Sequence, residues 1–229
     1  MQGVLLIDKP ADWTSFDVVN YVRRIVATAE GKKPKSCKVG HTGTLDPFAT
    51  GLLVLLIGKE YTRKAQGLSK VDKTYEVTMK LGETSTTGDP EGEITTVAAT
   101  TPTKADILGV LEQFRGQIEQ VPPAYSAIKI NGQRAYKLAR AGQTVVIEPR
   151  PATINRLEVA DYDYPFITYS ADVGSGTYLR TLSEDIAKAL DTCAYTTALR
   201  RTRVGQYDIK NACPVEGLSP DKILERLLS

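Results

Sequence analysis

The sequence predicts a mixed α+β fold with a mainly antiparallel sheet flanked by helices. Residues 52–57 are a continuous apolar run bounded by Gly51 and Gly58, the pattern of a strand buried on both faces. Tyr75, Val77, Met79 and Leu81 alternate with Glu76, Thr78 and Lys80, which marks a second strand with one buried face. Val18, Tyr21, Val22, Ile25 and Val26 recur at helical spacing, yet strands and helices do not alternate regularly as they would in a series of βαβ units.

The remaining elements follow in order. Residues 3–8 read as a buried first strand; Ser15 is placed to cap the helix after it, and Gly31 to end that helix. The stretch 84–92 is rich in Thr, Ser, Gly, Asp and Pro, the chemistry of a turn. A helix is expected from about Thr103, with Ile107, Leu108, Leu111 and Phe114 on one face. Strands at 152–159 and 166–173, a helix at about 177–190 and a last amphipathic stretch carrying Ile223, Leu224, Leu227 and Leu228 complete the chain. Pro122-Pro123 opens a basic segment that Pro149 and Pro151 close. Residues 122–150 therefore read as an inserted lobe on a single domain spanning 1–229.

A chain of 229 residues can bury a proper core, and its 41% hydrophobic and 24% charged content is that of a folded globular protein. No apolar stretch reaches transmembrane length. The N-terminus meets a charge soon after its short apolar run and lacks a basic leader, so a cytosolic protein is expected. Cys37, Cys193 and Cys213 are widely spaced and the chain has one histidine, which argues against a disulfide framework, a zinc site and transition-metal catalysis. Net charge is only +2, but the cations are clustered. Residues 31–45 carry four lysines and no acid; 120–147 carry Lys129, Arg134, Lys137 and Arg140 without an acid; Arg200, Arg201 and Arg203 lie between Asp191 and Asp208. Three such blocks favour an anionic partner.

The most informative segment is Gly40-His41-Thr42-Gly43-Thr44-Leu45-Asp46-Pro47-Phe48-Ala49-Thr50-Gly51-Leu52, a glycine-rich loop that runs straight into the buried strand. Its glycines permit tight turns and close approach of a ligand. Asp46 sits where a carboxylate can face a substrate with rigid structure behind it. The residues alone leave a plainer alternative open, in which Asp46-Pro47 begins a turn and His41 caps it.

This segment resembles the Gly-His-x-Gly-Thr-Leu-Asp-Pro-x-Ala-x-Gly-x-Leu signature of the TruB-type tRNA pseudouridine synthases. Other blocks resemble the family in the same order: Asp8-Lys9-Pro10, Trp13-Thr14-Ser15, Lys73-Thr74-Tyr75, the Thr84/Thr86/Asp89/Gly92 turn, and Pro122-Pro123-Ala124-Tyr125-Ser126-Ala127. Gly176-Thr177-Tyr178-Leu179-Arg180-Thr181-Leu182 and Leu199-Arg200-Arg201 continue the match, which covers almost the whole chain.

The resemblance implies the pseudouridine synthase catalytic fold and isomerisation of a tRNA uridine, uridine 55 of the T-loop, without a cofactor or metal. It implies Asp46 as catalytic nucleophile or base, Arg180 as its guanidinium partner, and Tyr75 as the stacking residue whose phenol could also handle the C5 proton. His41 would prop the gap left in the RNA by the flipped base, and Leu199 would line the uracil pocket. Arg200 and Arg201, with the basic lobe, would hold phosphates; Gly43, Thr44, Tyr178 and Lys129 complete the implied substrate-binding set. The implied partner is the tRNA T-arm stem-loop, with no membrane, no protein partner and a monomeric chain.

Relatives usually continue into a small RNA-binding domain of PUA type, whereas only about twenty residues follow Tyr207-Asp208-Ile209. That domain is expected to be missing, which favours a stand-alone bacterial enzyme over the guide-RNA relatives. Asp191-Thr192-Cys193-Ala194 and Ser85 also depart from the family pattern. Two other readings stand beside this one: a non-catalytic RNA-binding or tRNA-folding module, and an enzyme acting on a uridine of rRNA or mRNA.

Overall fold

The structure, a computed structural model, describes residues 1–97, 100–126, 128–130 and 132–228, with Gln66 described by its backbone alone. Ala127, at the end of the 122–127 motif, lies outside the described residues. The chain divides into two units, Met1–Tyr75 with Leu199–Ser229, and Glu76–Ala198. Residues 122–150 fall inside the second.

The first unit opens with β1 (Gly3–Lys9), buried along its length except for the half-buried Asp8. Helix α1 (Ser15–Ala29) follows, but its cap is Thr14 rather than the expected Ser15. Thr14 Oγ1 accepts from the Asp17 backbone N–H at 3.0 Å, and the Asp17 carboxylate accepts from the Thr14 N–H at 3.0 Å, closing a capping box. Ser15 is buried and commits its hydroxyl to Leu45. A 3-10 turn (Pro34–Ser36) leads into β2 (Val39–His41) and then β3 (Thr50–Ile57). Two short helices, α2 (Lys59–Arg63) and α3 (Ala65–Ser69), precede β4 (Lys73–Leu81), which runs on into the second unit.

β1 and β3 pair antiparallel from Gly3 opposite Ile57 to Lys9 opposite Gly51. Leu5, Ile7, Leu53, Leu55 and Ile57 pack with Val18, Val19, Val22 and Val26 of α1. Val4, Leu6, Leu52, Val54 and Leu56 form a separate cluster against which Tyr61, Leu68 and Val71 pack. Both faces of this strand pair are covered, which is why 52–57 shows no polar alternation.

In the second unit β4 buries Val77, Met79 and Leu81, as the alternation predicts. β5 (Glu83–Ser85) and β6 (Ile94–Thr96) form a hairpin around the expected turn. Helix α4 (Lys104–Gln113) is capped by Thr103 and buries Ile107, Val110 and Leu111. Leu108, expected on that face, is 49% exposed, because one helical step of about 100° carries it off the edge of the stripe. β7 (Gly116–Gln120) precedes the basic segment, which folds as a hairpin of β8 (Lys129–Ile130) and β9 (Gln133–Arg134) followed by α5 (Ala135–Arg140). β10 (Arg150–Asp163), β11 (Phe166–Val173), α6 (Leu179–Ala189) and β12 (Ala194–Val204) complete the unit, β12 crossing into the first at Leu199. The strand order here is β12-β4-β11-β10-β7, with β10 antiparallel to both neighbours.

Back in the first unit, β12 lies parallel to β3, with Arg200 opposite Thr50 and Arg201 opposite Gly51. β13 (Tyr207–Asp208), a 3-10 turn (Ile209–Asn211), β14 (Cys213–Pro214) and α7 (Pro220–Arg226) end the chain, giving the order β14-β1-β3-β12. Of the last apolar stretch Ile223 is buried, whereas Leu224 is 55% exposed, one helical step of about 100° away from it, and Leu228, beyond the helix end at Arg226, is 43% exposed. The architecture is the mixed, mainly antiparallel α+β class that the sequence predicts. Among the described residues no helix is long and apolar enough to cross a membrane.

Candidate active site

Asp46 lies in the loop between β2 and β3, half-buried, with the chain on either side of it pinned. On the N-terminal side, Ser15 Oγ accepts from the Leu45 N–H at 2.8 Å and donates to the Leu45 carbonyl at 3.0 Å. On the C-terminal side, the Pro47 carbonyl accepts from Lys9 Nζ at 3.1 Å and from the Asp12 N–H at 3.0 Å. Lys9 is fully buried at the end of β1, and its ammonium also donates to the carbonyls of Trp13 and Pro10. Immobilising both neighbours of a carboxylate fixes the backbone that carries it, which is part of what an attacking or proton-abstracting group requires.

Arg201 braces the same loop from within. It is 1% exposed, and its guanidinium donates to the carbonyls of Leu52 (2.8 Å), Gly43 (3.0 Å) and Thr44 (3.4 Å). The phosphate role expected of Arg201 is therefore corrected: a buried guanidinium spent on three loop carbonyls does not face an RNA backbone. Gly43 and Thr44, both expected to bind substrate, are tied to Arg201 through these carbonyls. Arg200, on the opposite face of β12, is about two-fifths exposed and forms a bidentate pair with Asp8 at 2.7 and 3.1 Å. Leu199 is buried beside it in the chain.

His41 ends β2 at the entrance to the loop. Burial, and then the nearby Arg201 guanidinium, hold its imidazole below the ordinary histidine range, so it is neutral at physiological pH. Its Nδ1 is buried without a hydrogen-bond partner among the described residues. Lys73 also lies close: a Cβ on Gly43 would come within 3.5 Å of its Cε. Burial first, then Arg201, push the Lys73 amine down to about 8, with Asp72 opposing. Its ammonium donates to the carbonyls of Val71 and Ser69 at 2.7 and 3.0 Å. Tyr75, two residues on, is buried on the inward face of β4.

The second unit carries Arg180, Tyr178 and Lys129. Arg180, in the first turn of α6, is 5% exposed and donates to the Asp89 carboxylate at 3.0 Å and to the carbonyls of Thr87 (2.8 Å) and Tyr125 (3.0 Å). Asp89 is itself 3% exposed and accepts from the Thr87 hydroxyl and the Glu91 N–H. This buried pair ties the 84–92 turn to α6. The side-chain amide of buried Gln120 clamps the backbone of Tyr178 through bonds of 2.8 and 3.1 Å, fixing the start of that helix. Lys129 is exposed on the β8–β9 hairpin, opposite Arg134.

Lys9, Ser15 and Asp89 stand in the family-like motifs, but their roles here are not legible from the sequence. Their partners are mostly backbone groups, which leave no mark in a sequence. For Arg201 a signal existed: it stands two residues from Leu199 in a strand and so shares its face.

Comparison with known proteins adds a family. Residues 30–179 match the description TruB family pseudouridylate synthase (N terminal domain). The chain is 44% identical over 218 residues to tRNA pseudouridine synthase B of Pseudomonas fluorescens, covering 95% of this chain and 68% of that protein. It is 44% identical over 232 residues to the protein of that name from a Mycobacterium species, covering 99% of this chain and 75% of that one. Among solved structures, a chain in a crystal structure of a Cbf5-Nop10-Gar1 complex superposes with a TM-score of 0.70 at 27% identity, over 93% of this chain and 52% of its own length. A chain in an archaeal box H/ACA sRNP Nop10-Cbf5 complex gives 0.68 at 25% identity, over 98% of this chain and 57% of its own.

Proposed function

Because this chain belongs to the TruB family of pseudouridylate synthases, we infer that it isomerises uridine to pseudouridine in tRNA, with Asp46 as the catalytic carboxylate. The observation that carries this reading is the position of Asp46 in a glycine-rich loop whose flanking residues are held by Ser15, Lys9 and Arg201. A carboxylate so fixed can act as nucleophile or base at the detaching nucleoside.

The target uridine leaves its stack, at a cost of roughly a few kcal/mol, and an aromatic face recovers part of it. Tyr75 is the proposed stacking surface, and Leu199 the proposed apolar wall for uracil. The bond between N1 and C1′ of the ribose breaks, the base turns, and a bond forms between C1′ and C5. N1 gains a proton and C5 loses one, so the atoms of the nucleoside balance and no cofactor or metal is needed. Arg180 is proposed to pair with Asp46 and keep it ionised, as the family resemblance implies; a double-mutant cycle on these two residues tests that pairing. Neutral His41 is proposed to prop the RNA where the base has left. Arg200, Tyr178 and Lys129 are proposed to contact the surrounding RNA.

The T-loop uridine of the tRNA T-arm is the proposed target, in the cytoplasm, by a monomer without a protein partner. Unmodified tRNA transcripts incubated with the pure protein, followed by chemical mapping of pseudouridine, test the target. Modification confined to the T-loop is expected; modification of other uridines, or only of an rRNA or mRNA, would overturn it.

A further inference from the structure

A groove of about 500 Å3 opens between α1 and the 3-10 turn, lined among others by Phe16, Arg23, Arg24, Lys35, Lys38 and Val39. Its lining carries four cations and no acid, a balance that costs like-charge repulsion unless an anion is present. Arg24, Lys35 and Lys38 are exposed, and none of them meets a carboxylate among the described residues. The nearby acids are spent elsewhere: Glu30 on the N-terminal amine and Lys32, Asp17 on the α1 cap.

Arg23 is built into the wall. Its guanidinium donates to Asn20 Oδ1 at 2.6 Å and to the Val39 carbonyl at 3.0 Å, and lies 5.9 Å from the centroid of the Phe16 ring. That ring is 61% exposed in the first turn of α1, so it keeps surface open to a ligand beside its contact with Arg23. An open aromatic face beside three uncommitted cations is the combination that holds a nucleic-acid strand, bases on the ring and phosphates on the cations.

Position favours RNA over other polyanions. β2 is a three-residue strand with Val39 in the groove wall at one end and His41 at the mouth of the Asp46 loop at the other. At about 3.3 Å per residue the two are roughly 7 Å apart along the strand, about one nucleotide of backbone. A strand entering the proposed site at His41 can continue directly into the groove.

We propose that this groove binds the phosphodiester backbone of the substrate RNA beside the reacting nucleotide, with Arg24, Lys35 and Lys38 as phosphate contacts and Phe16 as a stacking face. The inference rests on the RNA-modifying reading above and extends it to a surface outside the family's signature motifs.

The test compares wild type with the triple variant Arg24→Ala/Lys35→Ala/Lys38→Ala and with Phe16→Ala. Affinity for a tRNA transcript is read by fluorescence anisotropy across a salt series, alongside KM and kcat for pseudouridine formation. All four side chains are exposed, so thermal melting should match wild type. At about 0.15 M salt the triple variant should bind roughly tenfold more weakly, and its log Kd against log salt should lose about two units of slope. KM should rise with kcat little changed, and Phe16→Ala should weaken binding without altering the slope. Lys104→Ala, an exposed cation at the start of α4, should do neither. A triple variant with wild-type affinity and salt slope would overturn the proposal. So would a groove that captures polyglutamate while RNA affinity stays at the wild-type value. Groove-dependent RNA binding by a wild type that forms no pseudouridine would sink the enzymatic reading and leave the groove standing.

Discussion

At the scale of single residues, the account turns on which buried charges serve the fold and which serve the reaction. Arg201 is the sharpest case, since it donates to the carbonyls of Leu52, Gly43 and Thr44. If it braces the loop, Arg201→Met should lower kcat by about tenfold or more through misplacement of Asp46, and leave the salt slope of RNA binding unchanged. A phosphate contact would instead raise KM and reduce that slope by about one. Lys73 offers a test by pH. Its ordinary value of 10.5 falls to about 8 in the fold, so between these limits the unfolded chain binds the proton that the folded chain has lost. Stability should therefore rise with pH from about 8 to 10.5, the burial penalty being full below that window and gone above it. Denaturant melts of wild type and Lys73→Met across this range check it, and the variant should lack this part of the slope.

At the scale of elements, two connections hold the catalytic pieces. Gly51, the second residue of β3, has φ 103°, and a Cβ there would stand 2.3 Å from the Arg201 carbonyl oxygen of β12. Gly51→Ala should therefore cost about 3 kcal/mol or more in stability, from left-handed strain together with backbone collision; chemical denaturation measures it. The Asp89–Arg180 pair joins the 84–92 turn to α6, both partners being nearly inaccessible. Asp89→Ala removes the buried carboxylate that Arg180 meets at 3.0 Å and should destabilise by about 3–5 kcal/mol, again read by denaturant melts, with kcat falling alongside.

Elements were legible in the sequence where periodicity was strong. The run at 52–57, the alternation at 75–81 and the stripe of α1 all gave strands and a helix in their expected places. The errors lie at edges. Thr14 took the cap from Ser15 because only Thr14 has Asp17 at the spacing a capping box needs, while Ser15 is drawn into the interior by Leu45. Leu108 and Leu224 fit apolar faces by spacing, but the helices do not turn them inward.

At the scale of the molecule, the chain is divided into two units whose boundaries no composition change announces. They fall inside β4 and β12, strands that belong to both, so there is no linker to read. The net charge of +2 hides the feature that matters: the uncommitted cations of the α1 groove. The block at 31–45 was visible as charge, but its concavity and the neighbouring Phe16 needed the fold. The loop around Asp46 was legible as a motif and Arg201 had the strand face of Leu199 to mark it, whereas Lys9 was not legible, because a side chain bonded to backbone carbonyls has no partner residue to betray it.

The central claim, that Asp46 performs the chemistry on uridine, is tested most directly by T-arm RNA carrying tritium at uridine C5. Tritium release and pseudouridine yield are measured for wild type and Asp46→Asn, with RNA affinity determined in parallel. The wild type should release tritium as pseudouridine forms, while Asp46→Asn should bind the RNA with similar affinity and release none. Release by Asp46→Asn at the wild-type rate would contradict the account.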